Sequence, residues 1–361
     1  MNKAISIYPR ELNKEYELKC EDYVKLASTF GFNKLFTSIH LPEINLLNQI
    51  DTFLFLNNLA CKYDLELIID VAGNSLINIL ETKELLDKVL TVKPFIMRLD
   101  CNYDLDTVIK FVNKIDIKGF MINASTFNET DAIKQVEQLR NINKNVLACH
   151  NFYPRKQTGL DEDFALKQDS IFKKLDVDIY YCLPSIRNLR GPLYEGLPTI
   201  EEHRNKDMHY CALELIHKYQ CDNILFSDEF YLEDEFKAFN DVENIETIPI
   251  KVHLLSDKYD KIVLQKHEFR YDSNSSFLRS LSSRKMAEFS DKISKENCNA
   301  RIRGAITIDN ELYLRYSGEL QVVLKDNDAD EKVNVVGYIE EDELRKLEYY
   351  RQGYKYLFVR S

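Results

Sequence analysis

Eight short apolar runs pace the first 230 residues of the chain: "AISIYP" from residue 4, "KLFTSIHLP" from 34, "LELIIDVA" from 65, "PFIMRLD" from 94, "GFMINAS" from 119, "NVLACHNF" from 145, "DIYYCLP" from 178 and "NILFSDEF" from 223. Their starts lie 25 to 45 residues apart, the room needed for a strand, a helix and two loops. The stretches between them have helical spacing. "EDYVKLASTFGF" sets Tyr23, Val24, Ala27 and Phe30 on one face and stops at Gly31; "ETKELLDKVL", "DTVIKFVNKI" and "TDAIKQVEQLRNI" repeat the pattern. Strands that are apolar nearly throughout, alternating with amphipathic helices, require a parallel sheet covered by helices. Eight such units are the content of a (β/α)8 TIM barrel. An open doubly wound sheet is the alternative, but no Gly-rich nucleotide turn follows the first strand.

Near residue 245 the texture changes. "IPIKVHLL", "KIVLQKHEFRY", "NARIRGAITI", "ELYLRYSG", "ELQVVLKD", "KVNVVGYI" and "KYLFVRS" read as alternating strands split by "DN", "SG" and "DNDAD" turns, with one helix at "EDELRKLEYYRQG". The α/β barrel is therefore expected over residues 1–243, followed by a smaller, mainly antiparallel β domain over 244–361. A chain of 361 residues has the length for both.

A net charge of -11, with no long Lys/Arg block to offset it, excludes a surface built to neutralise nucleic-acid phosphates. The eight cysteines stand singly, without a C-x-x-C pair, and read as reduced, packed thiols. No run of 18 apolar residues is present and "MNKAISIYPRELNKE" lacks an apolar leader core, so no membrane association is expected and a cytoplasmic location is.

Barrel enzymes place their chemistry where strands end, and each run here ends in polar residues: Tyr8; Ser38, His40 and Glu43; Asp70; Arg98 and Asp100; Asn123 and Ser125; His150, Asn151, Phe152, Tyr153 and Arg155; Ser185 and Arg190; Asp228 and Glu229. Taken singly, Asp70 and Asp228 also read as helix N-caps. As a ring, the carboxylates, arginines and amides suit an anionic, hydroxyl-rich ligand. His40, Glu43, Asp70 and His150 carry metal-ligand chemistry, but not in an H-x-H or H-E-x-x-H spacing, and no metal or cofactor is expected. A nucleophile elbow and a P-loop are both missing. Cys149 and His150 point to opposite sides of a strand, which makes them a poor catalytic pair. The seventh loop, "SIRNLRGPLYEGLPTIEEHR", is long and stiffened by prolines. It carries Arg190 and Glu195, and Thr199 and Glu202 read as a capping box that opens a helix. His203 and Arg204 then fall in a solvated first turn.

"FTSIHLPE", "MRLDCNYD", "MINASTFN", "LACHNFYPRKQTGLDEDF" and "RGPLYEGLPTIEEHR", with "FLRSLSSR", "GAITIDNELYLRYSGELQVVL" and "VNVVGYI" further on, resemble the signature segments of the MupG-like 6-phospho-N-acetylmuramidases. The similarity spans essentially the whole chain. Departures are Ala72 and Gly73 where Ser and Pro are usual, Ser227 before Asp228 in place of Gly, and Leu314 where Gly is commoner. The resemblance implies a TIM-barrel glycosidase joined to a cyclophilin-like β domain. It also implies a cytoplasmic disaccharide substrate, N-acetylmuramic acid 6-phosphate linked to N-acetylglucosamine, arising in peptidoglycan recycling.

Such hydrolysis uses carboxyl groups on either side of the scissile bond, or one carboxyl together with the substrate's own acetamido group. Asp100 and Glu195 are the expected catalytic pair, with Asp70 and Asp228 in reserve. Arg155 and Arg190 suit the phosphate or lactyl carboxylate, since guanidinium grips oxyanions with paired bonds. His40, Glu43, Arg98, Asn123, His150, Asn151 and Tyr153 are the remaining expected sugar contacts, and Arg279 and Arg284 of the second domain are expected to close over the barrel mouth. The competing reading is a barrel that senses a sugar phosphate without catalysis. A Schiff-base aldolase is disfavoured because no lysine stands at the strand ends. The oligomeric state is not legible in the sequence.

Overall fold

The computed structural model describes residues 1–39, 41, 46–100, 103–142, 145–272, 274–288, 292–351 and 353–361. They form two compact units, Met1–Cys211 with Tyr219–Lys237 and Ala212–Lys218 with Ala238–Ser361. The first is a closed barrel of parallel strands β1 (Asn2–Ser6), β2 (Lys34–Ser38), β3 (Glu66–Val71), β4 (Phe95–Leu99), β5 (Ile117–Asn123), β6 (Asn145–Cys149), β7 (Ile179–Leu183) and β8 (Asn223–Phe226), each paired with the next and β8 with β1. These are the apolar runs of the sequence. Side chains alternate along a strand, and one parity fills the barrel: Ala4, Phe36, Ile68, Ile96, Met121, Cys149, Tyr180 and Leu225 form a single buried cluster. The other parity packs outward and is equally buried, as with Ile5, Leu35, Met97 and Phe120.

Helices α1 (Lys14–Thr29), α2 (Leu46–Lys62), α3 (Gly73–Glu81), α4 (Lys83–Val89), α5 (Leu105–Val112), α6 (Glu129–Arg140) and α7 (Glu162–Lys174) return the chain between strands. Side-chain caps start three of them: Asn13, Asp104 and Asn128 accept the N–H groups of Tyr16, Thr107 and Asp131 at 2.9 Å. Helix α1 ends as expected at Gly31, whose φ is +76°. Asp70 does not cap α3, which begins after Ala72 without a side-chain cap. The capping box expected at Thr199 and Glu202 is also absent. Only a 3-10 turn, Glu201–His203, forms there, because the Thr199 hydroxyl is taken by the barrel: it accepts the Cys182 N–H at 2.9 Å and donates to the Asn151 carbonyl at 3.0 Å. None of the described helices is long and apolar enough to cross a membrane. The described cysteines are free thiols.

The second unit is a seven-stranded sheet, formed by β9 (Thr247–Leu254), β10 (Lys266–Glu268), β11 (Phe277–Arg279), β12 (Ala305–Asp309), β13 (Leu320–Val323), β14 (Val333–Ile339) and β15 (Lys355–Arg360) in the order β10-β15-β9-β14-β12-β13-β11. All its pairings are antiparallel except β9 with β15. Two expected strands take other forms in part or in whole. "KIVLQKHEFRY" divides into a helical turn, Asp260–Val263, and the short β10. "ELYLRYSG" is a 3-10 segment, Glu311–Tyr316, opened by the Asn310 side chain and broken at Leu314. Leu314 has a φ of +53° and is 81% exposed; it holds a backbone conformation that glycine adopts more cheaply.

One buried group in this unit is poorly matched to its surroundings. Asp309, at the end of β12, is 6% exposed, and its Oδ1 is buried without a partner among the described residues. Burial, with the nearby charges of Glu319 and Asp330, pushes its carboxyl up to about 7. The folded chain therefore holds a proton that the unfolded chain releases near pH 4, so this group lowers stability as pH rises from about 4 to about 7 and by a constant amount above that. Asp309→Asn is expected to raise stability at pH 8 by about 1–3 kcal/mol and to flatten that part of the profile, as measured by denaturant unfolding at a series of pH values.

Candidate active site

The barrel's interior parity turns polar at its C-terminal end. Two residues beyond Ile68, Ile96, Met121 and Cys149 stand Asp70, Arg98, Asn123 and Asn151, so strand alternation alone aims these side chains at the barrel mouth. Asp70 and Arg98 are register partners on β3 and β4 and form a buried ion pair. Burial alone would lower the Arg98 pKa, but the Asp70 carboxylate more than offsets this and raises it. The other end of the guanidinium donates to Asn151 Oδ1 at 3.0 Å. Asp100 lies one step further out. Its carboxylate is one-third exposed, 3.9 Å from Arg98 and 3.3 Å from Asn123 Nδ2, which also donates to Asn151 Oδ1 at 2.9 Å. One open carboxylate thus lies beside a guanidinium and one amide.

A buried chain of hydrogen bonds sets the direction of those amides. Asn123 Oδ1 accepts the Ser125 N–H at 2.9 Å, which leaves Nδ2 as the atom facing Asp100. Ser125 Oγ accepts the Asn151 N–H at 3.0 Å and lies 3.1 Å from His150 Nδ1. His150 Nε2 faces Asp169 Oδ1 of α7 at 3.0 Å, and the other oxygen of Asp169 accepts the Tyr181 hydroxyl at 2.7 Å. The Asp169 carboxylate opposite Nε2 holds a ring proton there and fixes the plane of the imidazole, whose Nδ1 meets the Ser125 hydroxyl. His150 is consequently not a sugar contact. It is fully buried on the outward parity of β6, opposite Cys149, and acts through Ser125 on Asn151.

The seventh loop is held by two charged groups. Asp228 is fully buried, and its two oxygens accept the N–H groups of Arg190 at 2.8 Å, Ser185 at 3.0 Å and Leu197 at 3.2 Å. Burial raises its pKa to about 6 against the pull of these donors. Its place is that of a loop anchor, neither a reacting carboxyl nor a helix cap. The loop lays the Arg190 guanidinium on the Tyr8 ring, 3.4 Å from its centre. Further along, Arg204, expected in solvent, has a side chain only 4% exposed. It pairs with Glu201 at 2.6 and 2.8 Å and donates to the carbonyls of Glu195, Gly196, Tyr153 and Arg155 at 2.9 to 3.2 Å. Glu201 in turn accepts the N–H groups of Gln157 and Gly159. These bonds overcome burial and bring its pKa down to about 2. Gly159 is required here, because a Cβ would stand 2.8 Å from the Glu201 backbone. His203 is fully buried as well.

Of the other expected residues, Glu195 accepts the Lys156 N–H at 3.1 Å and meets Lys156 Nζ at 3.3 Å, contacts that lower its pKa. Tyr153 is half-buried and Arg155 exposed. Phe152 packs edge-on against Tyr8, with ring centres 6.3 Å apart. His40 and Glu43 lie outside the described residues. Arg279 and Arg284 gather on Glu319 within the second unit. Among the described residues, no three His, Cys, Asp or Glu side chains cluster in a metal-binding arrangement.

Residues 3–241 match the family model described as 6-phospho-N-acetylmuramidase, N-terminal, and residues 247–359 the model described as 6-phospho-N-acetylmuramidase, C-terminal. Among solved structures, a conserved protein of unknown function from a locus in Enterococcus faecalis is similar over 100% of this chain and 97% of its own, at 26% identity and a TM-score of 0.78. An uncharacterized B. cereus protein is similar over 99% of each chain, at 26% identity and a TM-score of 0.70. No curated protein matches the chain.

Arg204→Ala is expected to lower stability by about 2–4 kcal/mol, since it strands Glu201 and four backbone carbonyls. Limited proteolysis should then cut first within residues 153–160 or 187–198. Unchanged melting and an unchanged cleavage pattern would contradict the anchoring role.

Proposed function

The chain belongs to the 6-phospho-N-acetylmuramidase family, a family of glycosidases, and on that premise we propose that it cleaves N-acetylmuramic acid 6-phosphate from N-acetylglucosamine in a cytoplasmic disaccharide of peptidoglycan recycling. The observation that carries this reading is the open Asp100 carboxylate beside Arg98 and Asn123, both of which bond to Asn151. The neighbouring strand-end acids Asp70, Asp228 and Glu229 are buried and engaged. Free cysteines among the described residues agree with a reducing compartment. The C-terminal domain, over residues 244–361, is read as the cyclophilin-like domain of the family.

Glycoside hydrolysis needs an anionic group near the anomeric carbon and a proton donor at the leaving oxygen. Lys156 keeps Glu195 ionised, which suits the anionic role, and Asp100 is its partner in the pair. Where the substrate's acetamido carbonyl attacks instead, one of the two orients it. Asn151, half-buried, offers its amide group to sugar hydroxyls, and the fully buried Asn123 orients it. Arg190 lies over the Tyr8 ring and Arg155 stands exposed on the sixth loop, and they are assigned the phosphate and lactyl carboxylate.

Incubation with the 6-phosphorylated muramyl disaccharide should release free N-acetylglucosamine, detected by mass spectrometry. No release by folded protein would favour a sensing barrel. Asp100→Asn and Glu195→Gln should each lower kcat/KM by about 100-fold or more; values within a few-fold of wild type would remove the pair. Arg155→Ala and Arg190→Ala should reduce the preference for phosphorylated over unphosphorylated disaccharide about tenfold or more, read from the ratio of the two kcat/KM values.

A further inference from the structure

A cavity of about 300 Å3 opens in the second unit, with Arg270 and Arg279 on its wall and Phe277, Leu278 and Tyr350 among its apolar lining. The two arginines face each other across a backbone bond, the Arg270 N–H donating to the Arg279 carbonyl at 2.9 Å. Beneath them lies Glu319, a buried carboxylate that ties Arg270 at 3.5 Å, Arg279 at 3.4 Å and, from outside the cavity, Arg284 at 3.5 Å. Above them Asp272, whose side chain is 59% exposed, fills the space between the two guanidinium groups. Its oxygens take Arg270 Nε and Nη2 at 2.8 Å each and Arg279 Nη2 at 2.5 Å. Arg279 Nε is buried with no acceptor among the described residues.

This is the geometry in which paired guanidinium groups grip a tetrahedral oxyanion, with the chain's own carboxylate in the oxyanion position. The charges are unequal. Three guanidinium groups less the fixed Glu319 leave two positive charges; Asp272 cancels one, whereas a phosphate monoester dianion cancels both. Glu348, the other acid on the cavity wall, is paired with Arg303 of the same wall at 3.0 Å, so the two leave this balance unchanged. We propose that Arg270 and Arg279 form a binding site for the phosphate of a small organic phosphate, which displaces the exposed Asp272 carboxylate and lays its body on Phe277, Leu278 and Tyr350. Lys325 and Arg351 line the same cavity and add further positive charge. The site lies wholly within the second unit and does not depend on the barrel's activity.

The test is calorimetric titration of the full chain with glucose 6-phosphate, with inorganic phosphate and glucose as separate arms. Asp272→Asn keeps the side chain's size and removes its charge, so it should tighten binding of glucose 6-phosphate at least tenfold over wild type. Arg270→Gln in the Asp272→Asn background should abolish that gain. Any binding at the barrel is common to all three proteins and cancels in the comparison. A gain shared by inorganic phosphate identifies the phosphate alone as the ligand of the cradle; a gain confined to glucose 6-phosphate shows that the apolar lining contributes. Affinity within twofold of wild type for Asp272→Asn, a gain that survives loss of Arg270, or an equal gain for glucose would overturn the proposal.

Discussion

The Asp70–Arg98 pair is the contact on which the barrel mouth depends. Two neighbouring strands bring opposite charges into register where little water reaches them. Taking both ions out of solvent costs several kcal/mol each and is balanced only by close geometry and further hydrogen bonds. Those further bonds are the site itself: Arg98 holds Asn151, Asn151 accepts from Asn123, and Asn123 reaches Asp100. The pair adds little to net stability and much to orientation. It gives Arg98 one rotamer, and Asn151, Asn123 and Asp100 are placed relative to it.

Charged residues around this site divide by what they face. Asp228 and Arg204 carry full charges, yet their partners are backbone N–H and carbonyl groups of the sixth and seventh loops. A loop buried at a barrel mouth exposes backbone polar groups with no ladder to satisfy them, and one carboxylate or guanidinium serves several at once. Charge-assisted bonds are the stronger kind, so a single side chain fixes a long segment.

Legibility in the sequence followed the length scale of each interaction. The barrel strands were readable because apolar runs interrupted by amphipathic helices admit few folds. Asp100, Arg98, Asn123 and Asn151 were readable as strand-end residues, and the period of two also separates His150 from Asn151, as it separates His150 from Cys149. The parity that dismissed a Cys149/His150 pair also turns the imidazole away from the mouth. Asp169 and Arg204 had no such signal: their partners lie 19 residues away for Asp169 and up to 51 for Arg204, and "TIEEHR" has the composition of an ordinary helix start. In the second unit the strands are short, and "ELYLRYSG" alternates as a strand does. Its path is decided by the Asn310 cap and the left-handed turn at Leu314, neither of which periodicity registers.

Arg204 has a consequence that reaches beyond the loops it fastens. One guanidinium bonds to the backbone on either side of Pro154 and to the backbone at Glu195 and Gly196, while Lys156 joins the same two loops a second time through the Glu195 side chain. The exposed Arg155 and the ionised Glu195 are therefore mounted on one plate. The backbone at Arg155 and the Glu195 carboxylate are coupled through these shared bonds, so neither loop can be remodelled without re-aiming the other.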